Sequence, residues 1–232
     1  MGVYHNLRQK ILNNHIYLIK KFLIEEEKKL ASHSKVLDAG AGPCPYKYIF
    51  DKRHEYISQD LGVGVKGMNY SHINIISPID KIPLKSETFD CILCTQVFEH
   101  IPDPQAAMNE LARLLKKNGK ILMSVPQCVG EHQTPYDFFR YSRYGLKFLA
   151  ENAGLKISSI QVEGGIFTFL TQEIQSEIPY ILFRRKGKDL NKIIKGVCYP
   201  FRLLIASLGL LLDKLDQEKK TTAGYLVVFK KV

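Results

Sequence analysis

Hydrophobic and polar positions alternate along residues 35–126 in blocks that predict strands and helices in turn. Short apolar runs such as Val36-Leu37 and Ile92-Leu93 predict buried strands, because they are too short for a buried helix. Met108 to Leu115 predicts one of the intervening helices, and Lys120 to Pro126 a fifth strand. Strands that alternate with helices are typical of a parallel sheet with right-handed crossovers.

The segments on either side of this region are predicted from the same pattern. Residues 4–31 carry apolar positions at helical spacing, which predicts an amphipathic helix or helix pair packed on the domain. Ser142 predicts the cap of a helix that stops at Gly154. Residues 156–163 alternate as a strand does, and residues 223–229 predict the last strand.

A long connection, residues 164–221, separates the last two predicted strands. Its apolar stretch 193–215 is interrupted by Lys195, Pro200 and Arg202, which does not suit a membrane span. Two interpretations remain open. The connection is either a helical lid over an acceptor site or an interfacial helix that contacts a membrane.

The turn after the first strand carries the most informative chemistry. Gly40 and Gly42 follow Asp38 in the order D-x-G-x-G, before a helix predicted to start near Pro45. Asp60 ends the next predicted strand, where a carboxylate can accept both ribose hydroxyls of a nucleoside. The dinucleotide fingerprint would need glycine at position 45, so a pyrophosphate ligand is not favoured.

This motif resembles the first motif of class I S-adenosylmethionine-dependent methyltransferases, with Cys44 in place of the last glycine. Residues 82–104 resemble the central segment of type 11 methyltransferases, and the resemblance extends more loosely to His132 and residues 135–141. It implies an α/β fold with a doubly wound, mostly parallel seven-stranded sheet in the order 3-2-1-4-5-7-6. Helices would cover both faces, and a helical insert would precede the last strand.

The resemblance also implies the cofactor, S-adenosyl-L-methionine, with S-adenosyl-L-homocysteine as the product. Gly40 and Gly42 would lie against its methionine and ribose parts, and Asp60 would accept the ribose hydroxyls. Asp38 would orient the site by binding loop amides or a water at the ammonium group. The cofactor-binding core would be residues 35–163.

Other contacts to the cofactor follow from the same resemblance. Gln96 would lie near the methionine group, and either the Asp80 side chain or the backbone of Ile79 would contact adenine. The predicted cofactor-binding residues are Asp38, Ala39, Gly40, Gly42, Asp60, Leu61, Ile79, Asp80 and Gln96.

His100 and His132 are the predicted catalytic residues, because an oxygen nucleophile needs a base poised near neutral pH. For His100 the alternative is a helix cap or a bond to a backbone carbonyl. An arginine beside aromatic residues suits a carboxylate, phosphate or sugar, so four residues are predicted to bind the substrate: Tyr136, Asp137, Arg140 and Tyr141. A salt bridge between Asp137 and Arg140 that fixes the loop is the alternative.

Cysteines and histidines give no sign of a metal. Five cysteines without a spaced framework indicate a reducing compartment, and Cys91 and Cys94 would be buried thiols on opposite faces of a strand. The chain has no H-x-x-H or acid–histidine metal spacing, which predicts no metal. The N-terminus lacks the apolar run of a secretory signal, so a cytoplasmic location is expected.

The net charge of +10 favours acidic partners, but it is spread along the chain as a solvated surface would be. With the resemblance described above, we expect a single methyltransferase domain, residues 1–232, acting on a small-molecule or sugar- or lipid-linked acceptor. Its parts would be an N-terminal helical segment (1–31), the core, the insert and a last strand (222–232). An RNA methyltransferase is the first alternative. A non-catalytic cofactor-binding adaptor at a membrane surface is the second.

Overall fold

The computed structural model describes residues 10–63, 67, 69–183 and 199–232. Residues 1–9 of the predicted N-terminal segment and 184–198 of the predicted insert lie outside the described residues. The chain divides into two compact units. The core unit comprises residues 19–161 and 224–232, and the insert unit comprises 1–18 and 162–223. A single methyltransferase domain over the whole chain stays a prediction.

Seven strands form one sheet in the order β3-β2-β1-β4-β5-β7-β6, which confirms the predicted topology. Strands β1, β2, β4 and β5 pair in parallel, whereas β7 runs antiparallel to β5. The strands are β1 (Lys35–Ala39), β2 (Glu55–Asp60), β3 (Ile75–Ile76), β4 (Phe89–Thr95), β5 (Leu115–Pro126), β6 (Leu155–Val162) and β7 (Gly224–Lys231). The carboxyl ends of β1, β2, β4 and β5 therefore meet at one edge of the sheet.

Helices follow the strands as the pattern predicts. Asp103 caps α3 by accepting from the Ala106 amide, and Ser142 caps α4 by accepting from the Gly145 amide. The helices are α1 (Asn14–Glu27), α2 (Lys47–Phe50), α3 (Pro104–Leu114), α4 (Arg143–Asn152), α5 (Ile166–Phe183) and α6 (Tyr199–Leu212), with a 3₁₀ helix at Phe98–His100. Within the described ranges, every helix is too short or too polar to cross a bilayer.

The junction between helix α3 and strand β5 differs from the sequence prediction. Helix α3 ends at Leu114, and Leu115 already pairs with Phe89 as the first residue of β5. Leu115 is fully buried, so its packing in the sheet outweighs its helix propensity. A register shift between Phe89 and Cys91 absorbs the extra residues before regular pairing begins at Lys120.

Two cysteines of β4 belong to the buried core of the sheet. Cys91 and Cys94 are fully buried in β4, and burial raises the pKa of the Cys91 thiol to about 12 and that of Cys94 well above its usual value. These thiols are therefore packing residues, because a reactive cysteine needs an accessible thiolate.

The insert unit has its own packing device at the start of α5. Asp213 accepts hydrogen bonds from the amides of Gly165 (2.7 Å), Phe167 (3.0 Å) and Thr168 (3.1 Å), and also from the Thr168 hydroxyl. Gly209 of α6 allows close approach to α5, because a Cβ there would collide with Thr171. The carboxylate satisfies helix-end donors that would otherwise have no partner within the helix.

Candidate active site

The turn between β1 and α2 is fixed by the residues around it. Gly40 has a φ of 71°, and its amide and that of Ala41 both donate to the Gln59 carbonyl oxygen at 2.9 Å. A Cβ at Gly40 would lie 2.6 Å from both methyl carbons of Val97. Glycine is therefore required here by the backbone angle and by the packing of the segment after β4.

Asp60 stands at the tip of β2, and two backbone amides hold its carboxylate. Gly42 donates to Oδ2 at 2.9 Å, and Gly62 donates to Oδ1 at 2.8 Å. Each carboxylate oxygen has a second acceptor site, so Asp60 can still accept two hydroxyl groups. The structure thus joins two predicted cofactor residues, Gly42 and Asp60, in one rigid arrangement.

Asp38 is buried beneath this turn and accepts a hydrogen bond from the Tyr56 hydroxyl. Burial raises the pKa of Asp38 to about 6, the Tyr56 hydrogen bond opposes that rise, and the negative charge of Asp60 adds to it. The turn amides expected to bind Asp38 donate instead to Gln59 and Asp60. Ala39 is also buried, so only its backbone can face a ligand.

The other predicted cofactor residues surround the same edge of the sheet. Leu61 is about half exposed at 49%, Ile79 is buried and Asp80 is exposed. Gln96 adopts a φ of 55° at the end of β4, where its amide donates to the Ser124 carbonyl oxygen at 2.9 Å. Its side chain donates to the Ser124 hydroxyl at 3.2 Å, so Gln96 is anchored to β5.

Gln59 is a positioning residue that sequence reasoning missed. Its side-chain amide donates to the carbonyl oxygen of Ser77 at 2.5 Å, and its Oε1 accepts from the Gly40 amide at 3.3 Å. Gln59 is 1% exposed, and it connects the glycine turn to the loop after β3. The available signal in the sequence was a glutamine directly before Asp60, at the end of a predicted strand.

The two predicted catalytic histidines lie side by side. His100 ends the 3₁₀ helix after β4 and His132 follows β5, with ring centroids 5.0 Å apart. The Nδ1 of His100 lies 2.5 Å from the Tyr136 carbonyl oxygen, and that of His132 lies 3.2 Å from the Gly130 carbonyl oxygen. A carbonyl oxygen only accepts, so each Nδ1 carries the proton and each Nε2 keeps a lone pair.

A buried carboxylate completes this arrangement. Oε1 of Glu99 lies 3.8 Å from Nε2 of His100 and 3.9 Å from Nε2 of His132. The Gln133 side chain lies 3.3 Å from the same His100 nitrogen, and burial lowers the pKa of His100. We call Glu99, His100 and His132 the Glu–His–His cluster. The histidines come from separate loops, so no local spacing revealed it.

Arg140 is bound entirely within its own loop. Its guanidinium makes a bidentate ion pair with Asp137 at 2.6 and 2.7 Å. It also donates to the carbonyl oxygens of Val129, Gly130 and Phe139 at 2.8–3.0 Å, which engages all five of its N–H groups. A direct role of Asp137 and Arg140 in substrate binding stays a prediction. The loop-fixing salt bridge is what the structure contains.

The two tyrosines of this loop differ in accessibility. Tyr136 is 66% exposed and is available to an acceptor. Tyr141 is 6% exposed, its hydroxyl donates to the Phe98 carbonyl oxygen at 2.8 Å, and burial raises its pKa above the usual range. The contact between Tyr141 and substrate stays a prediction, and the side chain is buried in the core unit.

Comparison with known proteins agrees with the geometry. Residues 37–123 match the sequence model of a family described as a methyltransferase domain. An uncharacterized protein of Methanocaldococcus jannaschii is 35% identical over 109 residues, which are 47% of this chain and 45% of that protein. The match thus spans less than half of the length of this curated relative.

Solved structures of similar fold cover nearly the whole chain. A SAM-dependent methyltransferase of Archaeoglobus fulgidus aligns with a TM-score of 0.58 and 16% identity, over 98% of this chain and all of the other. A Burkholderia thailandensis 1,6-didemethyltoxoflavin-N1-methyltransferase, solved with its substrate and S-adenosylhomocysteine, aligns with a TM-score of 0.56 and 14% identity. That alignment covers 98% of this chain and 86% of the other. At these identities the likeness establishes the fold.

Proposed function

We propose that this protein transfers a methyl group from S-adenosyl-L-methionine to a hydroxyl-bearing acceptor, because residues 37–123 match the model of a methyltransferase domain. The acceptor would be a small molecule or a sugar- or lipid-linked precursor. The methyl donor of the family is S-adenosyl-L-methionine. The observation that carries the proposal is the strand-end carboxylate of Asp60, fixed by the amides of Gly42 and Gly62.

The donor site suits a nucleoside without phosphates. Asp60 offers acceptor atoms to both ribose hydroxyls, whereas a phosphate would need donors at this place. The sulfonium of the donor supplies an already activated methyl group. The protein therefore has to position the two reactants and exclude water.

The acceptor side of the site is the histidine pair. The Nε2 lone pairs of His100 and His132 can accept a hydrogen bond from an acceptor hydroxyl, and either nitrogen can take its proton as the methyl group transfers. Tyr136 is exposed beside them and would contact the acceptor. Asp137 and Arg140 would act indirectly, because they hold the backbone of this loop.

A titration with S-adenosylhomocysteine tests the donor site. We expect wild-type protein to bind in the micromolar range, and Asp60→Ala to bind roughly 30- to 150-fold more weakly, since about 2–3 kcal/mol of charge-assisted hydrogen bonding is lost. Asp51→Asn is the matched control, because it removes an exposed carboxylate at the end of α2. Wild-type protein that does not bind, or an Asp60→Ala affinity equal to that of wild type, contradicts the proposal.

A lipid-linked acceptor is favoured by one feature of the insert unit. Apolar side chains repeat along one face of α6 and just beyond its end, and four of them are more than half exposed: Phe201, Leu204, Leu211 and Leu215. An amphipathic surface of this kind can lie in the headgroup region of a bilayer. The insert would then bring the enzyme to a lipid-linked acceptor. An RNA acceptor is less favoured, because the basic residues are spread along the sequence and are not interleaved with aromatic residues in one motif.

Co-sedimentation with vesicles of zwitterionic and anionic phospholipids tests this second point. We expect the wild-type protein to sediment with anionic vesicles and the double substitution L204K/L211E, which leaves the net charge unchanged, to remain in solution. Ser207→Lys provides the control for a charge on the same helix. Equal sedimentation of wild type and L204K/L211E excludes a membrane role for this face.

A further inference from the structure

The Glu–His–His cluster presents three metal-ligating atoms to one point. One carboxylate oxygen of Glu99 and one nitrogen each of His100 and His132 lie within 4.8 Å of one another. We propose that this cluster binds a divalent transition-metal ion, Zn²⁺ in the first place, beside the acceptor. The inference rests on the proposed methyltransferase function. With an ion bound, the histidine nitrogens would be metal ligands, and the ion would take over the activation of the acceptor hydroxyl from the histidines.

The hydrogen bonds behind the histidines are those that metal ligands need. Both Nδ1–H groups donate to backbone carbonyl oxygens, at Tyr136 and Gly130, and this leaves Nε2 of each ring as the ligand atom. Metal-binding histidines nearly always donate their other ring N–H to a carbonyl or carboxylate, which fixes the tautomer and the ring orientation. The two ligand nitrogens are those nearest to Oε1 of Glu99.

Hydrogen bonds with Asp137 and Arg140 hold the backbone of the loop around His132. Asp137 accepts from the His132 backbone amide at 2.8 Å, and Arg140 donates to the Gly130 oxygen at 3.0 Å. Gly130 is the residue whose carbonyl also receives the His132 ring proton. The Asp137–Arg140 ion pair therefore positions His132 through two backbone contacts. We assign Asp137 and Arg140 as positioning residues.

The distances are close to those of a bound ion. Zinc takes nitrogen and carboxylate ligands at about 2.0–2.2 Å in tetrahedral geometry, so two ligand atoms stand about 3.3–3.5 Å apart. The oxygen–nitrogen separations here are 3.8 and 3.9 Å, so small side-chain rotations would close the site. The Gln133 amide near His100 belongs to an exposed side chain and can turn to solvent as the ion enters.

The nature of the ligands selects the kind of metal. Two imidazoles and one carboxylate suit zinc, iron, cobalt or nickel better than magnesium or calcium, which prefer oxygen. Three protein ligands leave a coordination position open, as in catalytic zinc sites. Glu99 is buried while His100 and His132 are half-buried, so the open position faces the accessible side of the cluster.

A metal at this place defines the acceptor as a hydroxyl compound. A bound ion would lower the pKa of an oxygen that it polarises, so the acceptor hydroxyl would lose its proton to solvent near neutral pH. The oxygen then forms a bond to the methyl carbon, and the sulfur–carbon bond breaks with its electron pair remaining on sulfur. The products would be the methyl ether and S-adenosylhomocysteine, with the hydroxyl proton in solvent, and no other reactant is consumed.

Titration of chelator-treated protein with Zn²⁺ or Co²⁺ tests the site. We expect one equivalent of either ion to bind, with Co²⁺ showing the visible absorption of a four- or five-coordinate site. His132→Asn and Glu99→Gln should weaken binding at least tenfold, and Asp137→Asn should weaken it about 10- to 100-fold through the position of His132. His72→Asn, at an exposed histidine, should bind as wild type does.

Two further measurements distinguish loss of the metal site from loss of the fold or of cofactor binding. Circular dichroism of each variant shows whether it is folded, and the half-exposed His132 provides a variant that leaves the buried carboxylate in place. Absence of a bound equivalent in wild type, unchanged affinity in His132→Asn, or a cobalt–thiolate absorption band overturns the metal site. Parallel titration with S-adenosylhomocysteine separates the two proposals, because a donor that binds without metal binding refutes only the metal inference.

Discussion

The buried carboxyl group of Asp38 should make the stability of the protein depend on pH in an unusual direction. Its pKa in the folded protein is about 6, against 3.8 for an accessible aspartate. A group with a higher pKa in the folded state holds more protons when folded. The contribution of Asp38 to the free energy of unfolding should therefore fall as the pH rises from about 4 to about 6, whereas salt-bridged carboxylates contribute in the opposite direction.

The structure gives the size of this effect and its causes. A difference of about two pKa units corresponds to about 3 kcal/mol of stability that is present below pH 4 and lost above pH 6. Burial is the largest cause, and the Tyr56 hydrogen bond and the Asp60 charge act in opposite directions. Tyr56→Phe should therefore raise the pKa of Asp38 further, and Asp60→Asn should lower it.

Urea unfolding from pH 4 to pH 7 measures the effect, because urea does not screen charges. Asp38→Asn keeps an oxygen that can accept from Tyr56 but does not titrate. Relative to wild type, its free energy of unfolding should gain about 3 kcal/mol between pH 4 and pH 7. Parallel pH profiles for the wild type and the Asp38→Asn variant would refute the reasoning, as would an Asp60→Asn profile with its transition at higher pH than in wild type.

Three other substitutions test packing and capping by the same unfolding measurement. Gly40→Ala should destabilise by about 2 kcal/mol or more, through its positive φ and the collision with Val97; Val97→Ala in the same chain should recover part of the loss. Asp213→Ala should cost about 2–4 kcal/mol, since donors at the start of α5 lose their acceptor, and a cost under 0.5 kcal/mol would refute that account. Tyr141→Phe should lower the free energy of unfolding by about 1 kcal/mol and leave the affinity for S-adenosylhomocysteine unchanged. A loss of affinity would mean that this tyrosine contacts the bound S-adenosylhomocysteine.

The glycine turn and the carboxylate that ends the second strand could be predicted because their signals are local, whereas the strand order was predicted from the resemblance to a known family. Gly40, Gly42 and Asp60 mark the ends of two strands, and the topology places those ends together. The ion pair of Arg140 with Asp137 was one of the two predicted alternatives, but the other hydrogen bonds of Arg140 and the one of Tyr141 could not be predicted in this way. Both depend on backbone carbonyl oxygens, to which Arg140 and the Tyr141 hydroxyl donate. Carbonyl groups are present at every position, so they leave no mark in the sequence.

The Glu–His–His cluster shows how topology creates a site that spacing cannot reveal. Strands β4 and β5 pair in parallel, so the segments that follow them leave the sheet side by side. Glu99 and His100 lie on the first segment, and His132 lies on the second. The amides of Phe138 and Phe139 then donate to the Glu99 carbonyl oxygen, which fastens one segment to the other. Chemistry-bearing residues just beyond neighbouring parallel strands should therefore be treated as one set, whatever their separation along the chain.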